Sequence, residues 1–478
     1  MKTTRRRFLG TTAAALLTSR LQAAAPNDAI RIAIVGAGWR GGQLIPQFAK
    51  IPDVRIVSVC DPDWKRAAEK AKQVEDVTGQ DSANVETDLR RVIESDSVDA
   101  VVSATPNHWH ALAAIWACEA GKHVYAEKPL AHSLWESQQM VRAAKKHDRI
   151  VQCGTHRRSF PIIRAIMKRI HAGEFGSIVR VRVVTRKFRE SIGKRTTPLP
   201  IPAEVDYNLW AGPAPMSPLY RNELHYDWHW VWETGNGELA NNGSHMLDLA
   251  RWALGQEKLA PAVMALGGRL YWNDAGETPN TLVAYYDYEP APIIVEVHNL
   301  AEKPGARKAG EYQGLRHGFI VECEDATILG ANHVEVRDRD GKVIEHQKEK
   351  EGKLHPANFI DAVRSGSSEK LTCPVEVGHT SCGLALQGNV SYLAGSTGTD
   401  RLDSVLRNSD AATKSTVDRM LGHLDDLGIE SPRSKLTVGP TLTFDTDSER
   451  FTGPQAKVAN QLLRRKEYRK PFVVKEVD

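Results

Sequence analysis

Residues Ile30 to Gly42 read IRIAIVGAGWRGG, a run of β-branched apolar residues that breaks off into glycines spaced as GxGxxG. Such a run is a buried strand, and the break is a turn that opens a helix. The missing Cβ permits the tight turn at Gly36, close approach of a ligand to the backbone at Gly38, and packing of the helix on the sheet at Gly41. The first turn of that helix presents unpaired N–H groups, which suit an anion. The next strand, VRIVSVC, ends on Asp61, where a carboxylate can accept ribose hydroxyls. Strand, glycine turn, helix, strand and acid, in that order, predict a dinucleotide site. Asp61 favours NAD over NADP because it repels a 2′-phosphate, although Lys65 and Arg66 nearby soften the preference.

Outward from this stretch the alternation of strand and helix continues to Cys153. It comprises helices near Leu44–Ala49 and Lys65–Val77, strand VDAVVSA from Val98, a helix near Ala111–Glu119, strand HVYAEKP, a helix capped by Ser133, and strand RIVQCG. Continuous apolar strands separated by helices predict a parallel sheet covered on both faces, a doubly wound Rossmann domain over residues 26–153. From Gly154 the pattern changes. Ser177 to Phe188 alternates apolar and basic residues, as an antiparallel strand with one solvated or partner-covered face would. A proline-rich loop from Thr197 to Pro218 reads as irregular and leads into the aromatic cluster HYDWHWVW, His225 to Trp232. Alternating strands at Thr281–Tyr288, Ile293–Val297 and Gly318–Glu322, with a hairpin turned by Asp340 and Gly341, predict a mostly antiparallel sheet. Helices return near Ala357–Arg364, Val377–Ala394 and Ala411–Leu427. The expected fold is thus α/β, with a Rossmann domain followed by a second α/β domain over residues 154–400. Residues 401–478 are expected to pack back on the body.

The chain has 478 residues with a formal net charge of +4, and its basic residues are scattered, so nucleic-acid binding has no electrostatic footprint. The six cysteines lack metal-like spacing and read as buried thiols; no metal and no disulfide are expected. The N-terminus carries Thr4, Arg5, Arg6, Arg7, Phe8 and Leu9, then a short apolar stretch and Ala23–Ala24–Ala25. That order predicts a twin-arginine signal over residues 1–25, engagement of the Tat export machinery, and a periplasmic or secreted mature protein with no membrane span.

Five ordered segments carry a resemblance: IAIVGAGWRGG, SATPNHWHA from Ser103, AEKPL from Ala126, QCGTHRRS from Gln152 and GNGELANNGSHMLDLARW from Gly235. With them the chain resembles the glucose-fructose oxidoreductase, inositol dehydrogenase and MocA family, in its secreted twin-arginine branch. The resemblance implies a sugar or polyol oxidoreductase that uses NAD, with NADP not excluded, and a homo-oligomer paired through the open sheet. It makes Lys128, held by Glu127 and a cis Pro129, the group that hydrogen-bonds the reacting hydroxyl. His245 becomes the acid/base, with Asp248 as a group that could orient it. Thr105, Pro106, Asn107 and His110 match the loop that lines the cofactor, and Trp39 and Arg40 are placed along the pyrophosphate or nicotinamide. Many relatives have an aspartate four residues before the histidine; this chain has Asn241, an amide that can hold a hydroxyl but cannot take its proton. Asn241 is therefore a substrate-binding candidate. His156, Arg157 and Arg158 could grip a sugar or carboxylate, or be solvated. Trp228 and its neighbours could stack on a sugar ring or form core.

Three functions follow: a sugar or polyol dehydrogenase with tightly bound, recycled cofactor; a glycosidase or lyase that oxidises, eliminates, adds water and reduces again; and a non-catalytic sugar-binding protein.

Overall fold

The computed structural model describes residues 29–349 and 354–478; the signal-like residues 1–25 lie outside them. The chain opens with β1 (Ile30–Val35), α1 (Trp39–Ala49), β2 (Val54–Cys60), α2 (Trp64–Thr78), β3 (Asn84–Glu86), α3 (Leu89–Glu94), β4 (Ala100–Ser103), α4 (Asn107–Glu119), β5 (His123–Ala126), α5 (Leu134–Lys146) and β6 (Val151–Cys153). All six strands run parallel in the order β3-β2-β1-β4-β5-β6. Ile32, Ala33 and Ile34 are fully buried, as strands covered on both faces require. The order reverses between β1 and β4, which opens a crevice at their carboxyl ends. Ser133 and Glu136 form a reciprocal capping box that starts α5. Helices α1 and α4 begin earlier than the apolar periodicity suggests, because their first turns are built from Gly, Arg, Asn and His. β3, with three residues, and α3, with six, are too short for a periodicity to show.

Gly41 shows why the glycine spacing is obligatory: a Cβ there would lie 2.0 Å from the Gly36 carbonyl oxygen. Gly41→Ala should therefore push α1 off the sheet, lowering stability by about 1–3 kcal/mol. The fall in Tm would be accompanied by loss of bound nucleotide; an unchanged Tm would contradict this packing.

After a 3₁₀ turn at His156–Ser159 come α6 (Pro161–His171), β7 (Ile178–Arg186), α7 (Tyr207–Ala211), α8 (Gly237–Asn241), α9 (Gly243–Ala253), β8 (Ala262–Gly268), β9 (Thr281–Asp287), β10 (Ile293–His298), β11 (His317–Cys323), β12 (Ala326–Gly330), β13 (His333–Asp338) and β14 (Val343–Lys348). The rest is helical with short strands: α10 (Leu354–Ser365), α11 (Val375–Leu393), β15 (Ser396–Thr397), α12 (Thr399–Asn408), α13 (Ala411–Asp426), α14 (Pro432–Lys435), β16 (Thr437–Val438), β17 (Leu442–Asp445), β18 (Arg450–Thr452) and α15 (Ala456–Leu462). Twelve strands make the second sheet, with β7 at its centre between β11 and β10. The sheet is antiparallel except where β7 runs parallel to β10.

One face of this sheet packs on α6, α9 and α11 through Val181, Val183, Leu247, Leu249 and Leu384. Where solvent or a partner was expected, part of the other face is covered by the chain itself. Met420 and Leu424 of α13 bury Met264, Val283 and Ile294. The basic residues that alternate along β7 are paired there: Arg182 with Glu322 at 2.5 Å, and Arg186 with Glu296, which also holds Arg419 of α13. Pairing of copies through an open sheet would have to avoid this covered region. A second correction concerns the proline-rich loop, which contains α7; Trp210 of α7 packs with Leu219 and Leu224. Farther on, Phe472 sits 5.4 Å from Trp109 of α4, so the end of the chain lies against the first domain. The described cysteines are all free, and no helix among the described residues is long and apolar enough to cross a membrane.

Candidate active site

The glycine turn leaves a space where a ligand fits. Gly36 has φ 91°, open to glycine at no steric cost, and a Cβ there would collide with Ala104 at 2.6 Å. At Gly38, by contrast, a Cβ would meet only Arg66 Nη1, 3.9 Å away. No side chain caps α1 and no acid stands in its first turn, so its N–H groups face the crevice and suit a pyrophosphate. Asp61 accepts the Ala37 N–H at 2.7 Å and the Asp63 N–H at 2.9 Å. Burial pushes its carboxyl up to about 6. Asp61 thus braces the loop and keeps lone pairs for a ribose.

The other side of the crevice is built around Lys128, just after β5. The Lys128–Pro129 bond is cis. Glu127 accepts Arg40 Nε at 2.6 Å, which ties the start of α1 to the turn carrying the lysine. Lys128 Nζ donates to the Asn241 carbonyl at 2.6 Å and lies 3.3 Å from Asn241 Oδ1. An ammonium has three protons, so one remains for a substrate oxygen. Four residues after Asn241, His245 packs edge-on to His156 at 4.9 Å, and its Nδ1 has no hydrogen-bond partner among the described residues. Burial, then the nearby Lys128 and Arg157 charges, hold this imidazole well below its usual range. It is neutral at pH 7 and able to take a proton.

Two family profiles match the chain. The first, described as an oxidoreductase family with NAD-binding Rossmann fold, covers residues 30–155; the second, described as its C-terminal alpha/beta domain, covers residues 162–414. The chain belongs to the GFO/IDH/MocA oxidoreductase family. It is similar to inositol 2-dehydrogenase 4 of Saccharopolyspora erythraea, 36% identical over 152 residues, 31% of this chain and 43% of that one. It is also similar to a glycosyl hydrolase family 109 protein of the same organism, 29% identical over 160 residues, 32% of this chain and 34% of that one. The chain thus spans less than half the length of these curated relatives. Among solved structures, the WlbA dehydrogenase of Bordetella pertussis in complex with NADH and UDP-GlcNAcA superposes with a TM-score of 0.55 at 22% identity. The match covers 74% of this chain and 94% of that one; at this identity the likeness concerns the fold.

With the GFO/IDH/MocA fold in place, several predicted site residues turn out to do other work. Asp248 does not orient His245. It forms a buried pair with Arg158 at 2.8 Å, the two side chains only 1% and 10% exposed, and accepts Ser381 Oγ at 2.5 Å. Arg158 lies 4.7 Å over the Trp252 ring, so it grips α9 and not a substrate. Asp248→Ala should leave that guanidinium buried and unpaired, destabilising the protein by about 3–5 kcal/mol, as a fall in Tm would register. A kinetic loss with unchanged Tm would return Asp248 to the catalytic machinery.

His110 is another brace. Its ring nitrogens lie 2.7 Å from the Pro129 carbonyl and 2.8 Å from the Thr105 carbonyl, which binds the two crevice loops together rather than facing a cofactor. Asn107 bonds Asn236 at 2.9 Å, joining the first domain to the segment that carries Asn241, while Pro106 caps α4. Trp228 is core: it stacks on His229 at 3.6 Å and packs with Trp210 and Leu219. Trp39 is 77% exposed at the crevice rim. Arg157 donates to Asn332 Oδ1 at 3.0 Å, next to His156.

The sequence reading missed His229, Glu238 and His317. His229 Nδ1 lies 2.7 Å from the Tyr226 carbonyl, and burial with the nearby Lys128 charge drives its imidazole down to about 3. Glu238 is fully buried and bound by Arg189 at 3.2 Å. His317 also feels the Lys128 and Arg157 charges. The signal for His229 lay inside HYDWHWVW, where the indoles drew attention away from the imidazole. Glu238 stands three residues before Asn241 in GNGELANN. Among the described residues no group of three His, Cys, Asp or Glu side chains is arranged to hold a metal ion.

Burial sets a pH signature. It lowers the Lys128 ammonium to about 8, while His245 stays neutral well below pH 6.5. If the ammonium is the donor, kcat/KM should be flat from about pH 6 to about pH 7.5 and fall above about 8. A rate that instead rises through this range would make the neutral amine the working form.

Proposed function

We propose that this protein oxidises a secondary hydroxyl of a sugar or polyol, with NAD held tightly and recycled. The observation that carries this reading is that Lys128, bonded to Asn241 four residues before His245, lies near enough for its charge to act on that imidazole, although the two come from separate parts of the chain. Gly36, Gly38, Gly41, the N-terminus of α1 and Asp61 are the residues that would hold NAD, which supplies the acceptor for the two electrons and the hydrogen leaving the sugar carbon. The remaining work falls to side chains. The Lys128 ammonium donates to the substrate oxygen and stabilises its developing negative charge. The neutral His245 takes the hydroxyl proton. Asn241 fixes the ammonium and offers its amide to a neighbouring hydroxyl. The experiment is to record absorbance of reduced nicotinamide when the nucleotide-loaded protein meets a panel of sugars and polyols. Stoichiometric formation supports the reading; silence across the panel, from protein shown to contain NAD, rejects it.

A second reading is favoured by Asn241, which stands where many relatives carry an aspartate. Here the first oxidation acidifies the adjacent C–H, the leaving group is eliminated, water adds, and the original oxidation level is restored. The similarity to a glycosyl hydrolase family 109 protein supports it. Release of an aglycone from a glycoside with no net redox change would select it.

We also propose that the mature protein acts in the periplasm or outside the cell. Thr4 to Leu9 and Ala23 to Ala25 support twin-arginine export, which moves proteins already folded and so can carry NAD along. Mass spectrometry of the exported protein tests both points: a chain beginning after Ala25 with released dinucleotide supports them, and a full-length cytoplasmic chain overturns export.

A further inference from the structure

A recess of about 320 Å³ in the second domain is lined by Phe188, Glu190, Ser191, Tyr271, Trp272 and Arg307. Its size is at the lower end of small-molecule sites, which run from about 300 to about 1,000 Å³. Tyr271 is a non-glycine residue at φ 72°, a backbone strain that persists where the surroundings enforce it. Its ring is 42% exposed and meets Trp272 edge-on at 4.8 Å and 80°. Trp272 is anchored against the buried cluster under α13, while the Tyr271 ring beside it stays open to solvent. Glu190 and Arg307 pair with each other at the rim, so the lining adds no net charge.

A chain of side-chain contacts leads from this recess to the active site. A second hollow shares Glu190 and Trp272 with it and adds Arg189 and Trp230. Arg189 lies 5.2 Å from the Trp230 ring and binds Glu238 at 3.2 Å, three residues from the Asn241 that holds Lys128. Flat rings for the apolar face of a pyranose, with carboxylate, guanidinium and hydroxyl groups around them for its hydroxyls, describe a site for a neutral sugar.

We infer that the Tyr271–Trp272 recess binds a second sugar ring, so that the preferred substrate is a glycoside or oligosaccharide rather than a free monosaccharide. The inference rests on the sugar half of the reading above and adds a subsite to it.

Calorimetric titration of the nucleotide-loaded protein with glucose, maltose, cellobiose and trehalose tests it without relying on turnover. At least one disaccharide should bind about tenfold more tightly than glucose, as a stacked ring would give. Tyr271→Gly suits the left-handed backbone there and so keeps the fold; it should abolish that step and leave glucose binding unchanged. Trp272→Ala should do the same, and Tyr271→Phe should retain the step. Equal affinity for glucose and every disaccharide, or a step that survives both truncations, overturns the proposal. A redox-silent protein that shows the step overturns the oxidoreductase reading and keeps the subsite; a redox-active protein without it does the reverse.

Discussion

Lys128→Met should lower kcat by about 10²–10³-fold while bound nucleotide and Tm are retained. The substitution removes the donor to the substrate oxygen and nothing that holds the nucleotide, since the glycine turn and Asp61 are separate from it. Stability should not fall. Burial lowers the ammonium to about 8 from 10.5, so below pH 8 the native state carries a charge it disfavours, and this penalty fades as pH rises from 8 toward 10.5. An apolar isostere relieves the penalty at neutral pH. Steady-state rates, nucleotide content and melting curves of the two proteins separate the possibilities. A variant that keeps its rate would make Lys128 a structural strut for Asn241.

His245→Asn should lower kcat by about 10²–10⁴-fold, the range for loss of a positioned acid/base. The asparagine is polar and smaller than the imidazole, so the site stays hydrated and α9 should hold its place. Because His245 is the group that accepts the proton, a small external base such as imidazole or azide should restore part of the rate in the variant and none in the native protein. No such rescue is expected for Lys128→Met, whose defect is a missing positive donor rather than a missing base. Rescue of neither variant, with a rate loss below about tenfold, would remove His245 from the chemistry.

The glycine turn, the parallel sheet and the lysine after β5 were legible because each rests on local rules: apolar runs, glycine spacing, and the carboxyl end of a strand as the place where ligands bind. Ser133 was legible for the same reason, since a capping box spans only four residues. Partners distant in sequence were not. Arg158 and Asp248 lie 90 residues apart, and nothing local says that the arginine is consumed by the acid rather than aimed at a ligand. Trp228 looks identical in sequence whether it stacks on a sugar or on His229. Alternation along β7 marked one polar face, but that Glu322 of β11 and Glu296 of β10 would neutralise it, with Arg419 of α13 sharing Glu296, depends on pairs at least 110 residues apart. Lys128, Asn241 and His245 were named together only because their motifs were; the hydrogen bond between lysine Nζ and the Asn241 carbonyl is what the structure adds.

The central claim is that one sugar carbon is held between the Lys128 ammonium, the His245 imidazole and a bound nicotinamide. Its most direct measurement is a rapid-mixing record of reduced-nicotinamide absorbance, with nucleotide-loaded protein and a sugar deuterated at the reacting carbon set against the unlabelled sugar. The account requires absorbance to appear in the first turnover, more slowly with deuterium, and to form at least about a hundredfold more slowly in Lys128→Met and His245→Asn. An absorbance change that neither substitution diminishes, or turnover of the sugar with no reduced nicotinamide at any time, would contradict it.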